Sequence, residues 1–316
     1  MGLLVHVAHY DYISDDAFIF ARYARNLVQG QGLVFNPGER VEGFTSVAWV
    51  MLLAAAGALG VDYVSAMRVL GVLCALACVW LSHQLALRRV GLCWTAAAAV
   101  PLLVACAAPL ACWSGAGLET LAFALAILCC LFAFEPEAER RAAWCEGAYA
   151  SLCVLLRPEG VLVPVALAAV RLRHSGVRAS LRAFRCWGLP VLALAVLSVF
   201  RLAYYGDLVP NTARAKDAAG GQWLLGWEYV RDFFAVHGSL PLWLVVLGLS
   251  LRRRAHPALQ AAATLSLTLI ATTVWVGGDG LCMYRFFVPV LPLFALLCGH
   301  ALDSLWSRVG GSTLRA

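Results

Sequence analysis

The sequence predicts an all-α fold, a polytopic transmembrane helical bundle with about nine or ten membrane helices. Three observations predict it. Of the 316 residues, 62% are hydrophobic and only 13% are charged, whereas soluble globular domains carry roughly 25% charged residues. The mean hydropathy of +0.80 implies more apolar surface than one soluble core hides. The apolar residues also fall into runs, at 47–61, 64–87, 92–111, 120–134, 143–156, 159–171, 186–204, 239–251, 257–276 and 285–305, with arginines gathered at the run ends. No internal repeat or low-complexity linker divides the chain, so residues 1–316 read as one membrane domain.

The stretch Met1–Tyr10 is apolar but too short for a ~30 Å hydrocarbon core, which takes roughly 20 helical residues. It has neither the basic start nor the cleavage site of a signal peptide. It reads as the end of a spanning helix whose first part is missing. Residues 1–46 are then a first outer loop. Within it Ser14 is the expected N-cap, and Asp15 and Asp16 suit a first helical turn, where free N–H groups and the dipole favour anions. Phe20, Ala24, Leu27 and Val28 recur at helical spacing, opposite Arg22, Arg25, Asn26 and Gln29, and Gly30 and Gly32 stop the helix. That pattern is an amphipathic helix suited to the interface plane. The segment 35–46 is a turn-rich loop with no phosphate-binding glycine fingerprint. The 47–61 run is short and followed by Asp62 and Arg68, which suits a segment that dips into the membrane.

The arginines set the orientation. Arg88 and Arg89, Arg140 and Arg141, the cluster from Arg171 to Arg185, Arg252 to Arg254, and Arg308 with Arg315 fall on one side if 47–61 does not cross. The positive-inside rule makes that side cytoplasmic. The other side receives Asp15 and Asp16, the turn Ser114-Gly-Ala-Gly leading to Glu119, Arg157-Pro-Glu159, the long loop 205–238, and Gly277-Gly-Asp279 through Arg285. Most polar residues that topology does not explain therefore gather at one membrane face.

Each of these groups has two readings. Asp15 and Asp16 cap a surface helix or do chemistry; one cap suffices, and two adjacent carboxylates repel. Glu119 meets a helix dipole or joins a polar site. Arg157 and Glu159 form a local ion pair or grip a ligand through the planar guanidinium fork. Lys216 is the only lysine in the chain, a solvated loop residue or a phosphate contact. Arg285 enters an apolar run, which is costly without a partner; Asp279 or an anionic head group would serve. Trp223, Trp227, Tyr229, Phe233 and Phe234 read as an interfacial aromatic belt or a sugar-stacking surface. The twelve cysteines form no CxxC pair and no Cys/His metal spacing, so they read mainly as small buried hydrophobes. Cys112 and Cys282, near segment ends, are the pair for which a disulfide is conceivable. The net charge of +6 comes without a basic patch of interleaved aromatics, so nucleic acid is not an expected partner.

Several of these stretches resemble one family in their order along the chain. They are Asp15-Asp-Ala-Phe through Arg22-Tyr, Asn26-Leu and Gly30-Gln-Gly-Leu-Val-Phe-Asn-Pro-Gly-Glu-Arg-Val-Glu-Gly-Phe-Thr45; Ser114-Gly-Ala-Gly-Leu-Glu-Thr120; Leu156-Arg-Pro-Glu-Gly160; Tyr205-Gly-Asp-Leu-Val-Pro-Asn-Thr212 with Lys216; and Gly277-Gly-Asp279 with Arg285, Pro289 and Pro292. The sequence resembles the GT-C membrane glycosyltransferases, in particular relatives of the mycobacterial terminal β-arabinofuranosyltransferase, over nearly its whole length. Against that family, the start reads as lacking the first spanning helix, and the end reads as lacking the soluble C-terminal domain that some relatives have.

The resemblance implies a bacterial plasma-membrane enzyme with an extracytoplasmic site. It implies inverting transfer of a sugar, arabinofuranose or another, from a polyprenyl-phosphate donor to a cell-envelope glycan, lipid or protein. It makes an aspartate of the first outer loop the general base, which here is Asp15 first and Asp16 second. Arg285, Lys216 and Arg157 are then the expected donor-phosphate ligands. Glu42, Glu119, Glu159, Asn211 and Asp279 are assigned to sugar or acceptor, and a divalent cation is left open as a cofactor. Two rival readings are a transporter or flippase for a lipid-linked or polar substrate, and an inactive relative that serves as an assembly subunit. Transporters place polar residues at the bilayer midplane, whereas here they gather at one face.

Overall fold

The computed structural model describes residues 2–137, 140–211, 222–252 and 254–309. These residues form helices and connecting turns, with no strand among them. In chain order the helices are α1 (Gly2–Tyr10), α2 (Asp16–Val28), α3 (Val47–Ala58), α4 (Tyr63–Gln84), α5 (Trp94–Ala105), α6 (Ala108–Gly115), α7 (Thr120–Ala133), α8 (Arg140–Leu156), α9 (Leu162–Tyr205), α10 (Trp223–His237), α11 (Leu240–Ser250), α12 (Pro257–Val276) and α13 (Leu291–Val309). The polytopic helical bundle expected from composition is the fold.

Four segments are singly long and apolar enough to cross a membrane: Tyr63–Val90, Pro158–Val177, Gly188–Tyr205 and Pro257–Val276. The count reaches six if the bent pairs α5–α6 and α10–α11 each make one span. The pair α5–α6 turns by 52° and α10–α11 by 103°. Both bends have a local cause, since α6 and α11 each begin with a proline in the first turn, where the missing N–H is no loss. Helix α3 has 12 residues, about 18 Å at 1.5 Å per residue, too short to cross alone. Many large apolar side chains face outward, among them Trp80, Trp94, Trp223 and Trp275, as a lipid-facing surface requires.

The structure redraws four boundaries. The N-cap of α2 is Asp15, not Ser14: the Asp15 carboxylate accepts from Asp16 N at 3.1 Å. Ser14 is buried and its N–H donates to Ala116 O at 3.0 Å, so it is held by the α6–α7 turn. Ser114, expected in a flexible turn, ends α6, with its hydroxyl on Leu110 O at 2.7 Å. The basic stretch between the runs 159–171 and 186–204 is helical, and α9 passes through it with one break at Gly176, whose φ of 70° is left-handed. Residues 205–238 are not loop throughout, because they contain α10. Its residues Gly226, Val230 and Phe233 are buried on one face, and Gly238 closes it in the left-handed conformation with φ 55°.

Close backbone contacts hold the bundle around the polar face. A Cβ on Gly226 of α10 would lie 2.1 Å from Val274 O of α12, and one on Gly71 of α4 would lie 2.2 Å from Ser114 O of α6. Glycine is required at both points because only a hydrogen fits there.

Candidate active site

Five of the residues singled out in the sequence meet in one cluster. Arg157 sits between α8 and the short turn Pro158–Val161, Glu119 at the start of α7, and Asp279 and Arg285 in the connection from α12 to α13. Arg157 Nη1 donates to Glu119 Oε1 at 3.1 Å, and its Nε donates to Glu159. Arg285 forms an ion pair with Asp279 Oδ2. Its geometry is poor for a hydrogen bond, since both atoms lack a hydrogen-bond partner in the buried network. The side chains of Glu119 and Asp279 are each 4% exposed, and Arg157 and Arg285 are buried.

Phe286 joins the two arginines. The Arg157 guanidinium lies 4.9 Å from the centre of its ring and the Arg285 guanidinium 5.4 Å. Arg285 also lies 5.5 Å from the ring of Trp113, and Arg157 5.8 Å from that of Phe123. Flat cations over aromatic faces are worth up to about 2 kcal/mol when desolvated, which helps hold two like charges close together. Burial alone would lower the pKa of Arg157, but the fields of Glu159, Glu119 and Asp279 outweigh it and leave the guanidinium more firmly charged.

The connection carrying Arg285 is strained where it matters. Met283 and Tyr284 both have left-handed backbone, with φ of 56° and 47°, a conformation that costs about 1–3 kcal/mol in a non-glycine residue. The surroundings fix it. Tyr229 of α10 accepts from Phe286 N at 3.3 Å, and Leu281 N donates to Asp279 Oδ1 at 3.3 Å. A Cβ on Gly278 would lie 2.6 Å from the Tyr229 ring, so the backbone passes tightly under that ring.

Asp15 and Asp16 stand at the start of α2. Asp15 is exposed and Asp16 half-buried. The start of α2 abuts the α6–α7 turn: Ser14 N bonds Ala116 O at 3.0 Å, a Cβ on Gly117 would lie 2.8 Å from that of Ala17, and Tyr12 packs on Trp113 at 5.7 Å. Trp113 is the ring that Arg285 covers, and Glu119 ends the same turn. The aspartates therefore neighbour the arginine cluster through shared elements, but among the described residues no hydrogen bond or ion pair joins them to Arg157 or Arg285.

Glu42 lies in a second site. Arg201 Nε donates to both of its oxygens, at 3.0 and 2.8 Å. Burial pushes the Glu42 carboxyl up, against the pull of the Arg201 guanidinium. Asn211 contributes its backbone, donating to Glu42 O at 3.0 Å, while its side chain is exposed. Arg201 was missed in the sequence, although the cost of an arginine inside an apolar run signals it as clearly as it signals Arg285. Lys216 lies outside the described residues. Cys112 and Cys282 are both free thiols.

Among the described residues, no group of three or more His, Cys, Asp or Glu side chains is placed to hold a metal ion. Glu119 and Asp279 are engaged by arginines instead, and this arrangement does not fit a divalent cation.

No family model matches the chain. It is 35% identical over 275 residues to the terminal β-(1→2)-arabinofuranosyltransferase of Mycobacterium tuberculosis, a stretch covering 77% of this chain and 42% of that protein. It is 28% identical to the enzyme of the same name from Corynebacterium glutamicum, covering 90% of this chain and 47% of that one. The chain is a relative of the GT-C membrane glycosyltransferases. The GT-C fold is also that of ArnT from Cupriavidus metallidurans. The apo structure of ArnT superposes with a TM-score of 0.66 over 98% of this chain and 59% of that one, at 18% identity. The structure of the same protein bound to undecaprenyl phosphate gives a TM-score of 0.60, covering 98% of this chain and 60% of that one. This likeness establishes the GT-C fold. The chain spans a little under half the length of the two curated relatives it matches.

Proposed function

We propose that this GT-C relative transfers a sugar from a polyprenyl-phosphate donor to a cell-envelope acceptor, with inversion, on the extracytoplasmic side. The observation that carries the reading is the pair of buried guanidiniums of Arg157 and Arg285, gathered around Phe286 beside the turn on which α2 begins. Arginine binds phosphate through its planar fork, and a buried pair at one membrane face suits a phosphate on a lipid tail. The undecaprenyl phosphate bound by ArnT and the names of the two curated relatives support the donor class, with arabinofuranose the first sugar to try.

In this reading Asp15 takes the proton of an acceptor hydroxyl as its oxygen attacks the anomeric carbon. The bond from that carbon to the phosphate oxygen breaks, and the polyprenyl phosphate leaves with its charge stabilised by Arg157 and Arg285. Lys216 is a third candidate cation for this step. Asp15 is exposed, and so within reach of an acceptor arriving from water. Asp16 stands second for the base role. Glu119, Glu159 and Asp279 orient the arginines and contact the sugar as it enters.

The test is transfer by the purified protein in lipid nanodiscs, supplied with polyprenyl-phosphate arabinofuranose and an arabinan fragment, with products read by mass spectrometry. An acceptor heavier by one sugar and free polyprenyl phosphate in equal amount support the proposal. Movement of intact donor across a vesicle bilayer without sugar transfer would instead indicate a flippase.

A further inference from the structure

The buried pair Glu42–Arg201 belongs to a strap that the arginine cluster does not explain. The strap is the segment 33–43 after α2, and it is held from two sides. On one side α9 grips it. Arg201 Nε holds both Glu42 oxygens, Leu33 N donates to the Tyr204 hydroxyl at 3.0 Å, and the Tyr205 hydroxyl donates to Leu33 O at 2.7 Å. Arg40 also stacks on Tyr204 at 4.9 Å. On the other side α2 grips it. The Tyr23 hydroxyl donates to Val41 O at 2.6 Å and accepts from Gly43 N at 2.8 Å, Asn26 Nδ2 donates to Val34 O and Phe35 O at 2.8 and 2.9 Å, and Arg22 Nε donates to Phe35 O at 3.1 Å. Glu42 O also accepts from Asn211 N, the last described residue before the segment that carries Lys216.

We propose that Arg201 is a positioning residue, acting through Glu42 to lock the strap between α2 and α9. It thereby fixes α2, which carries Asp15 at its start, relative to α9. Side-chain donors and acceptors satisfy strap backbone groups on both sides. Arg201 supplies the one ion pair between the strap and α9 among the described residues, and it is costly to keep inside an apolar helix without its partner. Loss of the pair loosens the strap on α9, leaving only the Tyr204 and Tyr205 contacts, and lets α2 shift while the bundle stays folded. Displacements of about 1 Å at a reacting group cost up to ~10²-fold in rate.

The inference rests on the proposed sugar transfer, so the experiment reads the clamp in two ways. Arg201→Lys, Glu42→Gln and the exchanged pair Glu42→Arg/Arg201→Glu are prepared in nanodiscs beside the wild type. Both kcat and donor KM are measured, together with the rate of trypsin cleavage after Arg40. Each single variant is expected to lower kcat about tenfold or more with donor KM little changed, and to speed cleavage after Arg40. The exchanged pair is expected to recover part of both. If a single variant yields too little folded protein, Tyr205→Phe, which removes one strap bond, is expected to move both readouts in the same direction by less. Unchanged kcat together with a protected strap in Arg201→Lys and Glu42→Gln would overturn the proposal. A wild type without transferase activity would defeat the transfer reading alone, because cleavage after Arg40 still reports whether Arg201 holds the strap.

Discussion

Arg157 and Arg285 come from connections 128 residues apart in the chain and share one aromatic ring, that of Phe286, at 4.9 and 5.4 Å. Two guanidiniums so close repel each other. Glu119, Glu159 and Asp279 offset that repulsion, and the ring offers each cation a negative face. A phosphate entering between them would meet two fixed forks whose orientation is already set.

Removing one member of this network should show in stability as well as activity. Arg157→Ala leaves Glu119 buried without its ion-pair partner, which for a buried pair costs about 3–5 kcal/mol. The variant is expected to melt well below the wild type in a thermal-shift series. Arg157→Ala combined with Glu119→Gln, which also removes the stranded charge, is expected to regain a good part of that loss. A double variant no more stable than Arg157→Ala would show that Glu119 is not the charge being stranded.

Phe286 should act through the donor. Phe286→Leu keeps apolar volume and removes the ring face from both arginines. Cation–π contacts of this kind are worth about 0.5–2 kcal/mol and exist without donor, so the variant is expected to melt below the wild type, and donor KM is expected to rise as the two guanidiniums lose their fixed orientation. The comparison of donor titrations for wild type and variant checks it.

Gly226 should tolerate no side chain. A Cβ there would lie 2.1 Å from Val274 O and 2.7 Å from Thr273 O, both backbone atoms that cannot rotate away. Gly226→Ala is expected to push α10 off α12 and destabilise the fold by about 1–3 kcal/mol. Because α10 carries Tyr229, whose hydroxyl accepts from Phe286 N, donor affinity should fall as well. Gly248→Ala, where no atom lies within 4 Å of the new Cβ, is the control and should be silent on both counts.

The fold was legible where its physics is local. Runs of apolar residues bounded by arginine and glycine mark helices, and α4, α7 and α12 fall close to their runs. The Arg285–Asp279 pair was legible from the cost of an arginine entering an apolar segment. The Arg157–Glu159 pair was legible as neighbours flanking a proline. Long-range partners were not. Glu119 reaches Arg157 and Glu42 reaches Arg201 across 38 and 159 residues, and nothing in local spacing names the mate. The cap of α2 was misplaced by one residue because Ser14 is a good cap by type, yet its backbone is taken by Ala116. The helix α10 was hidden in an expected loop because its tryptophans and phenylalanines read equally well as an interfacial belt.

We propose Asp15 as the base of a sugar transfer whose donor phosphate is held by arginine. Asp15→Asn keeps a side-chain oxygen that can still cap α2, so the fold and donor binding should survive. The decisive measurement is single-turnover transfer from polyprenyl-phosphate arabinofuranose by wild type and Asp15→Asn, with donor binding measured on the same samples. With Asp15 as the base, a rate loss of about 10²-fold or more is expected, with the donor Kd unchanged. Transfer by Asp15→Asn at near wild-type rate would contradict it.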